Sequence, residues 1–237
     1  SPRFRVFRLD LWQNPAFAER LGREEGIELT TAKLADPEGP AWDALAAAHV
    51  YHASSAKDEL PQRWFVTERL LARCPQLVCV SMFGAGYDTV DVEACTRAGV
   101  LVVNQSGANA QAVAEHAFGF ILGLAHRIGE SDRRLRRERG FPREELTGHQ
   151  ITGKVLGIVG LGNTGTRTAR IARAFDMTVL AADPYLTPEE IGRRGATGVP
   201  LEELLARSDF VSLHCPRDAS TLGMIDAAAF ARMKRGA

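Results

Sequence analysis

Val155-Leu156-Gly157-Ile158-Val159 runs directly into Gly160-Leu161-Gly162-Asn163-Thr164-Gly165, and Asp183 follows 18 residues after the last of these glycines. A G-x-G-x-x-G run alone is a weak signal, but its surroundings here are complete. An apolar, β-rich run precedes it. A helix-like run follows, with Thr164, Thr168, Ile171 and Phe175 spaced for one face. A second apolar run, Met177 to Ala182, then ends in the acid. Each part has a physical task. Gly160 makes the tight turn, Gly162 lets a pyrophosphate approach the backbone, and Gly165 lets helix and strand pack closely. The helix N-terminus offers free N–H groups and a positive dipole end to phosphates. Asp183 can accept hydrogen bonds from ribose hydroxyls, and its charge repels a 2′-phosphate. The plain alternative is a glycine-rich βα turn that binds nothing. The full context favours NAD as the cofactor over NADP.

The 237 residues are enough for one large or two modest domains. With 29 basic and 29 acidic side chains the formal charge is +0, so nothing favours nucleic acid or an anionic membrane over a small molecule. Cys74, Cys79, Cys95 and Cys215 form no CxxC pair and no metal-ligand spacing, so no metal is expected and a reducing cytoplasm fits. The longest apolar stretch, Ala110 to Ala125, is interrupted by Gln111, Glu115 and His116 and is too short for a bilayer. It reads as a buried helix. Ser1-Pro2-Arg3-Phe4 has no apolar signal region and no initiating Met, as a processed end would.

The first hundred residues alternate strand and helix signals. Val6–Leu9, Ile27–Thr30, His49–His52, Leu77–Val80 and Val100–Val103 are strand candidates. Pro15–Glu24, Ala41–Ala48, Gln62–Arg73 and Val92–Ala98 read as the helices between them. That order predicts a parallel sheet covered on both faces. A long helix from about Ala110 to Ile128 follows, continued by a charged segment from Ser131 to Arg139, and a second α/β unit opens at Lys154. The Arg133–Arg139 run has no interleaved aromatics, so a solvated helix face or a subunit-contact arm explains it better than nucleic-acid binding.

Ser81–Asp91, Val113-Ala114-Glu115-His116, Gly160–Gly165, Asp183-Pro184-Tyr185 and Val211-Ser212-Leu213-His214-Cys215-Pro216 occur in this order and spacing. Together these five segments resemble the NAD-dependent D-2-hydroxyacid dehydrogenase family. The family includes formate, glycerate, phosphoglycerate and D-lactate dehydrogenases and glyoxylate and hydroxypyruvate reductases. The resemblance runs from about Cys74 to Ala237. It implies an α/β protein of two doubly wound parallel-sheet domains, with the active site in the cleft between them. The first, residues 1–104, is a flavodoxin-like substrate domain; the second, 105–237, is a Rossmann NAD-binding domain.

Carried over, the backbone N–H groups of Ala85 and Gly86 hold the substrate carboxylate, which suits a glycine-rich anion nest. Asn109 matches an asparagine that contacts substrate in the formate dehydrogenase branch. Asn163 and Thr164 meet the pyrophosphate, Asp183 the ribose, and His214, Cys215, Pro216 and Thr221 the nicotinamide side. By the same resemblance His214 is a cofactor-side residue and not a general acid. His116 reads as a core or domain-interface histidine, Cys215 as cofactor lining, and Glu115 as a group fixing helix geometry.

The family's catalytic arginine lies shortly after a Met-Lys-x-Gly-Ala run, which here is Met233-Lys234-Arg235-Gly236-Ala237. That arginine, the glutamate that orients the histidine, and the histidine acid/base are all expected beyond Ala237, so no catalytic residue is assigned within the chain. The second domain reads as truncated by two βα units, on the order of 60 residues. A protein truly ending at Ala237 is expected to have no measurable dehydrogenase activity, to bind NAD weakly if at all, and to be poorly stable alone.

The leading function is hydride transfer between NAD(H) and a small 2-hydroxy or 2-oxo acid by a homodimer joined through its NAD-binding domain. The alternatives are an NAD-sensing, corepressor-like scaffold and an inactive fragment of the dehydrogenase. After the third strand, Tyr51-His52-Ala53-Ser54-Ser55-Ala56-Lys57 contains no arginine for a substrate phosphate, so an unphosphorylated acid such as glyoxylate or hydroxypyruvate is expected.

Overall fold

Residues 4–11 and 13–237 are described in the computed structural model of the chain, which divides into two units, Ser1–Ala108 and Asn109–Ala237. The start Ser1-Pro2-Arg3 lies outside the described residues. The sequence boundary at 104/105 falls in the segment between the last strand of the first unit and the long helix that opens the second.

The first unit runs β1 (Phe4–Leu9), α1 (Ala16–Leu21), β2 (Ile27–Ala32), α2 (Glu38–Ala46), β3 (Val50–Ala53), a 3-10 turn (Gln62–Trp64), α3 (Glu68–Arg73), β4 (Cys79–Met82), α4 (Val92–Arg97) and β5 (Leu101–Val103). Its strands pair in parallel in the order β2-β1-β3-β4-β5, the flavodoxin-like doubly wound order. Phe7, Leu45, Tyr51, Trp64, Val80 and Met82 are buried at its centre, as a sheet covered on both faces requires. Trp42 stacks on Trp64 with ring centroids 4.3 Å apart.

The single helix expected over Gln62–Arg73 is broken. Phe65 is extended, and Val66 pairs with Val90 through Val66 N–H to Thr89 O (2.9 Å) and Asp91 N–H to Val66 O (2.8 Å). A β-branched residue with strand partners available leaves the helical path, and α3 starts only after Thr67.

The second unit contains α5 (Ala110–Ala125), α6 (Ile128–Arg137), a 3-10 turn (Arg143–Leu146), β6 (Val155–Val159), α7 (Asn163–Ala174), β7 (Thr178–Ala182), α8 (Pro188–Arg193), β8 (Thr197–Gly198), α9 (Leu201–Arg207), β9 (Phe210–Leu213) and α10 (Ala227–Arg232). The parallel order β8-β7-β6-β9 gives the first four positions of the Rossmann order. The long helix ends three residues earlier than expected. The Ala125 carbonyl is taken by the His149 N–H at 2.8 Å, and Arg127 turns into the left-handed region at φ 52° before α6 begins. Among the described residues, no helix is long and apolar enough to cross a membrane.

Register places the candidate residues. Val159 pairs with Ala182 on one side and with Leu213 on the other. The next residue of each strand is therefore Gly160, Asp183 or His214, side by side at the carboxyl ends of β6, β7 and β9. This is where strand order reverses in a doubly wound sheet, the usual place for a ligand.

Candidate nucleotide site

Gly160 sits at φ +87°, a conformation that strains any other residue. A Cβ there would lie 2.6 Å from the Cys215 nitrogen and 2.9 Å from the His214 carbonyl carbon, so the turn lies directly against the end of β9. A Cβ on Gly165 would overlap the Gly160 carbonyl oxygen and stand 3.2 Å from Ile158 Cγ2. Gly162, in contrast, is exposed, and a Cβ there would meet nothing within 4 Å. Two glycines are thus needed for packing and the third leaves its surroundings open.

The N–H groups of Gly162, Asn163 and Thr164 donate to no acceptor among the described residues. They are the unsatisfied donors of the first turn of α7, where the helix dipole is positive. Asp183 Oδ2 accepts the Leu161 N–H at 2.8 Å, and Oδ1 accepts the Tyr185 N–H at 3.0 Å. Each carboxylate oxygen keeps further lone-pair capacity. The donors, the open glycine and the carboxylate fit a dinucleotide: phosphates at the N–H groups, ribose hydroxyls at the acid.

His214 lies half-buried beneath this turn. Its Nε2 is 2.9 Å from Ser212 Oγ and 3.2 Å from Thr168 Oγ1, and burial holds its imidazole below the usual histidine range. Cys215 Sγ lies 3.9 Å from Met224 Sδ. Thr221 donates to the Pro216 carbonyl at 2.6 Å, closing the loop after β9. The structure therefore gathers Gly160, Gly162, Asn163, Thr164, Gly165, Asp183, His214 and Cys215 at one end of one sheet, with Pro216 and Thr221 in the adjoining loop.

Ala85 and Gly86 belong to the first unit, in the turn after β4. Asn104 Nδ2 donates to the Ala85 carbonyl at 2.9 Å, and the Gln105 N–H donates to the Gly84 carbonyl at 3.0 Å. The N–H groups of Ala85 and Gly86 donate to no acceptor among the described residues. The turn adjoins the loop after β3: a Cβ on Gly86 would contact Ser55 Cβ at 3.4 Å. Asn109 precedes α5 and is exposed, with its side chain making no cap bond.

Two sequence readings are corrected. The buried face of α7 is Gly165, Thr168, Ala169 and Ala172; Phe175 is exposed and Ile171 half-buried. Small residues line that face because the helix approaches the sheet too closely for large ones. His116 is exposed, edge-on to Phe120 at 4.5 Å, and is not a core histidine. Glu115 accepts from Gln111 Nε2 one turn earlier.

Four contributors escaped sequence reasoning. A Cβ on Gly157 would lie 2.5 Å from Leu204 Cδ2, so α9 packs onto β6 at that glycine; an isolated glycine within a strand was the available signal. Arg194 Nη1 donates to the Leu161 carbonyl at 2.6 Å, and Thr168 reaches His214; neither contact has a spacing signature. In the first unit, His52 is 4% exposed, stacked on Phe17 and held between Gln13 and Ser81. No group of three metal-binding side chains occurs among the described residues.

Comparison with known proteins agrees with this geometry. The chain is 41% identical to D-3-phosphoglycerate dehydrogenase of Mycobacterium bovis over 171 residues, 72% of this chain and 32% of that protein. It is 33% identical to D-3-phosphoglycerate dehydrogenase of Bacillus subtilis over 233 residues, 98% of this chain and 42% of that protein. The chain thus spans about a third to two-fifths of the curated relatives it matches. Its fold superposes on D-lactate dehydrogenase from Aquifex aeolicus, solved with NAD and lactic acid, with a TM-score of 0.79 and 27% identity, covering 97% of this chain and 66% of that one. Residues 118–237 match the family described as "D-isomer specific 2-hydroxyacid dehydrogenase, NAD binding domain". The chain belongs to the D-isomer-specific 2-hydroxyacid dehydrogenase family, and residues 118–237 carry that family's NAD-binding domain.

Proposed function

We propose that this chain serves hydride transfer between NAD(H) and a small 2-hydroxy or 2-oxo acid. The observation that carries the reading is the row of unbonded N–H groups at Gly162, Asn163 and Thr164 beside the Asp183 carboxylate. When bound, the nicotinamide supplies or accepts the hydride. The chain's own work is binding and orientation. The first turn of α7 takes the pyrophosphate, Asp183 the adenosine ribose, and Gly160 and Gly165 keep the turn close to the sheet. His214, Cys215, Pro216 and Thr221 line the nicotinamide side. The Ala85 and Gly86 N–H groups take the substrate carboxylate, with Asn109 as a further substrate contact.

We assign no acid or base within these 237 residues. His214 is engaged with Ser212 and Thr168, and His116 sits on the surface of α5. In the family pattern the proton-transfer and carbonyl-polarising groups come after a Met-Lys-x-Gly-Ala run. The four cysteines are free thiols, which supports a reducing compartment such as the cytoplasm. Phe120 (62% exposed) and Leu124 (73%) on α5, with Ile128 beyond it, form an apolar strip that supports a homodimer through this domain.

For the substrate, the relatives' names favour a phosphorylated acid as a second reading. The loop after β3 favours an unphosphorylated one. Its only basic residue, Lys57, lies 3.8 Å from Asp88, and nearby Arg8 donates to the Leu9 and Leu11 carbonyls. In a full-length assay with NADH, glyoxylate or hydroxypyruvate should be reduced with higher kcat/KM than 3-phosphohydroxypyruvate. Preference for the phosphorylated acid would reverse the substrate assignment, and absence of turnover with any 2-oxo acid would remove the proposed activity.

A further inference from the structure

We propose that the second unit carries a separate anion site: an arginine-lined groove along α7 and α8 that binds a triphosphate chain. The groove has a volume of about 810 Å³ and is lined by Arg167, Arg170, Arg173, Arg193, Arg194 and Gln111, among others. Arg167, Arg170 and Arg173 recur every third residue of α7, which spreads their origins over roughly 9 Å of helix. Arg193 closes α8, and Arg194 follows it.

Four of these side chains are held by neutral groups. Arg167 Nη1 donates to the Asn163 carbonyl at 2.8 Å, Arg170 Nη2 to Gln111 Oε1 at 3.2 Å, and Arg194 Nη1 to the Leu161 carbonyl at 2.6 Å. Arg173 folds against Gly195, where a Cβ would stand 2.9 Å from its Nη1. All these partners are neutral. Among the described residues no carboxylate lies within 4.0 Å of any of the five guanidinium groups, whereas Arg63, Arg97, Arg127, Arg134, Arg136, Arg207 and Arg232 each have one.

The acids nearest in sequence are already engaged. Glu190 closes the capping box with Thr187, Asp183 accepts two backbone N–H groups, and Glu115 accepts from Gln111. Arg193 and Arg194 feel the charge of Glu190, but among the described residues Arg167, Arg170 and Arg173 form no ion pair with a carboxylate. Guanidinium forks facing one groove match an extended anion with many oxygens, because the fork meets phosphate oxygens in pairs. A triphosphate chain matches the length of the α7 row better than a single phosphate does. The site touches the nucleotide turn through Arg194, on the Leu161 carbonyl, and Arg167, on the Asn163 carbonyl, and it stands whether or not the hydride-transfer reading does.

Calorimetric titration of the chain with inorganic tripolyphosphate at low salt tests the site, with and without saturating NAD. Arg170 and Arg173 are exposed and outside the nucleotide turn, so the R170A/R173A variant retains its fold by circular dichroism. The expected result is saturable binding that persists with NAD, weakens at least about tenfold in the double variant, falls with added salt, and greatly exceeds binding of inorganic phosphate. No saturable binding, binding that NAD removes, or binding unchanged in R170A/R173A would each overturn the proposal.

Discussion

The Asp183 carboxylate accepts the Leu161 N–H at 2.8 Å, tying the end of β7 to the second residue of the glycine-rich turn. The acid proposed to select the cofactor therefore also fixes the turn that receives its phosphates. Replacing Asp183 by Asn keeps an acceptor for Leu161 but removes the charge, whereas Asp183→Ala removes both. A hydrogen bond to a charged group contributes about 1.5–3 kcal/mol, so D183A should weaken NADH binding by at least about tenfold. D183N should weaken it less while raising relative NADPH affinity. Fluorescence titration of both variants with both cofactors checks this ordering.

The three kinds of glycine environment predict three outcomes. Gly157→Ala drives a methyl into Leu204 and should lower stability by about 1–3 kcal/mol without altering the turn. Gly165→Ala strikes the Gly160 carbonyl, so it should lower stability and cofactor affinity together. Gly162→Ala meets no protein atom and should leave thermal unfolding unchanged while weakening cofactor binding. Denaturation midpoints read beside NADH titrations separate the three.

The first unit carries an acid-sensitive element. Burial, aided by the Arg8 charge, lowers the His52 pKa to about 4. Gln13 Nε2 donates to His52 Nε2 at 2.6 Å, so the bonded form is the neutral imidazole. A histidine depressed in the folded state binds fewer protons than in the unfolded chain between its two pKa values. Its contribution is complete above the unfolded value near 6.5 and is lost as the pH falls toward about 4, amounting to roughly 3 kcal/mol. Denaturant unfolding across that window should show the loss, and His52→Gln should flatten it.

Much of the fold follows from short-range pattern. The βα alternation of the first hundred residues and the glycine turn between two apolar runs are enough for two parallel sheets. Helix ends were less legible, because they depend on distant partners: Val90 draws Val66 out of a helix, and His149 takes the carbonyl that ends α5. The same holds within the site. Gly160 and Asp183 stand out by spacing, but Thr168 is 46 residues from His214 and Arg194 is 33 from Leu161, and no local periodicity encodes such pairs. The spacing of Thr164, Thr168, Ile171 and Phe175 does not mark the inward face of α7, because close approach to β6 admits only the small residues Gly165, Thr168, Ala169 and Ala172.

The exposed strip of Phe120, Leu124 and Ile128 gives a separate expectation about assembly. Leu124→Glu places a charge at its centre, and burying an unpaired charge in an interface costs several kcal/mol. In sedimentation velocity the unsubstituted chain should run as a dimer and the variant as a monomer. Equal sedimentation of the two would remove this face from the proposed interface.

The central claim is that the turn from Gly160 to Gly165, with Asp183, forms an NAD site that discriminates against a 2′-phosphate. Parallel titration of the full-length protein with NADH and NADPH, followed by nicotinamide fluorescence, tests it most directly. The account predicts saturable binding of both, with NADH tighter by at least about tenfold, since desolvating a phosphate beside the Asp183 carboxylate costs more than about 1.4 kcal/mol. Equal affinity, a preference for NADPH, or no saturable binding of NADH would contradict it.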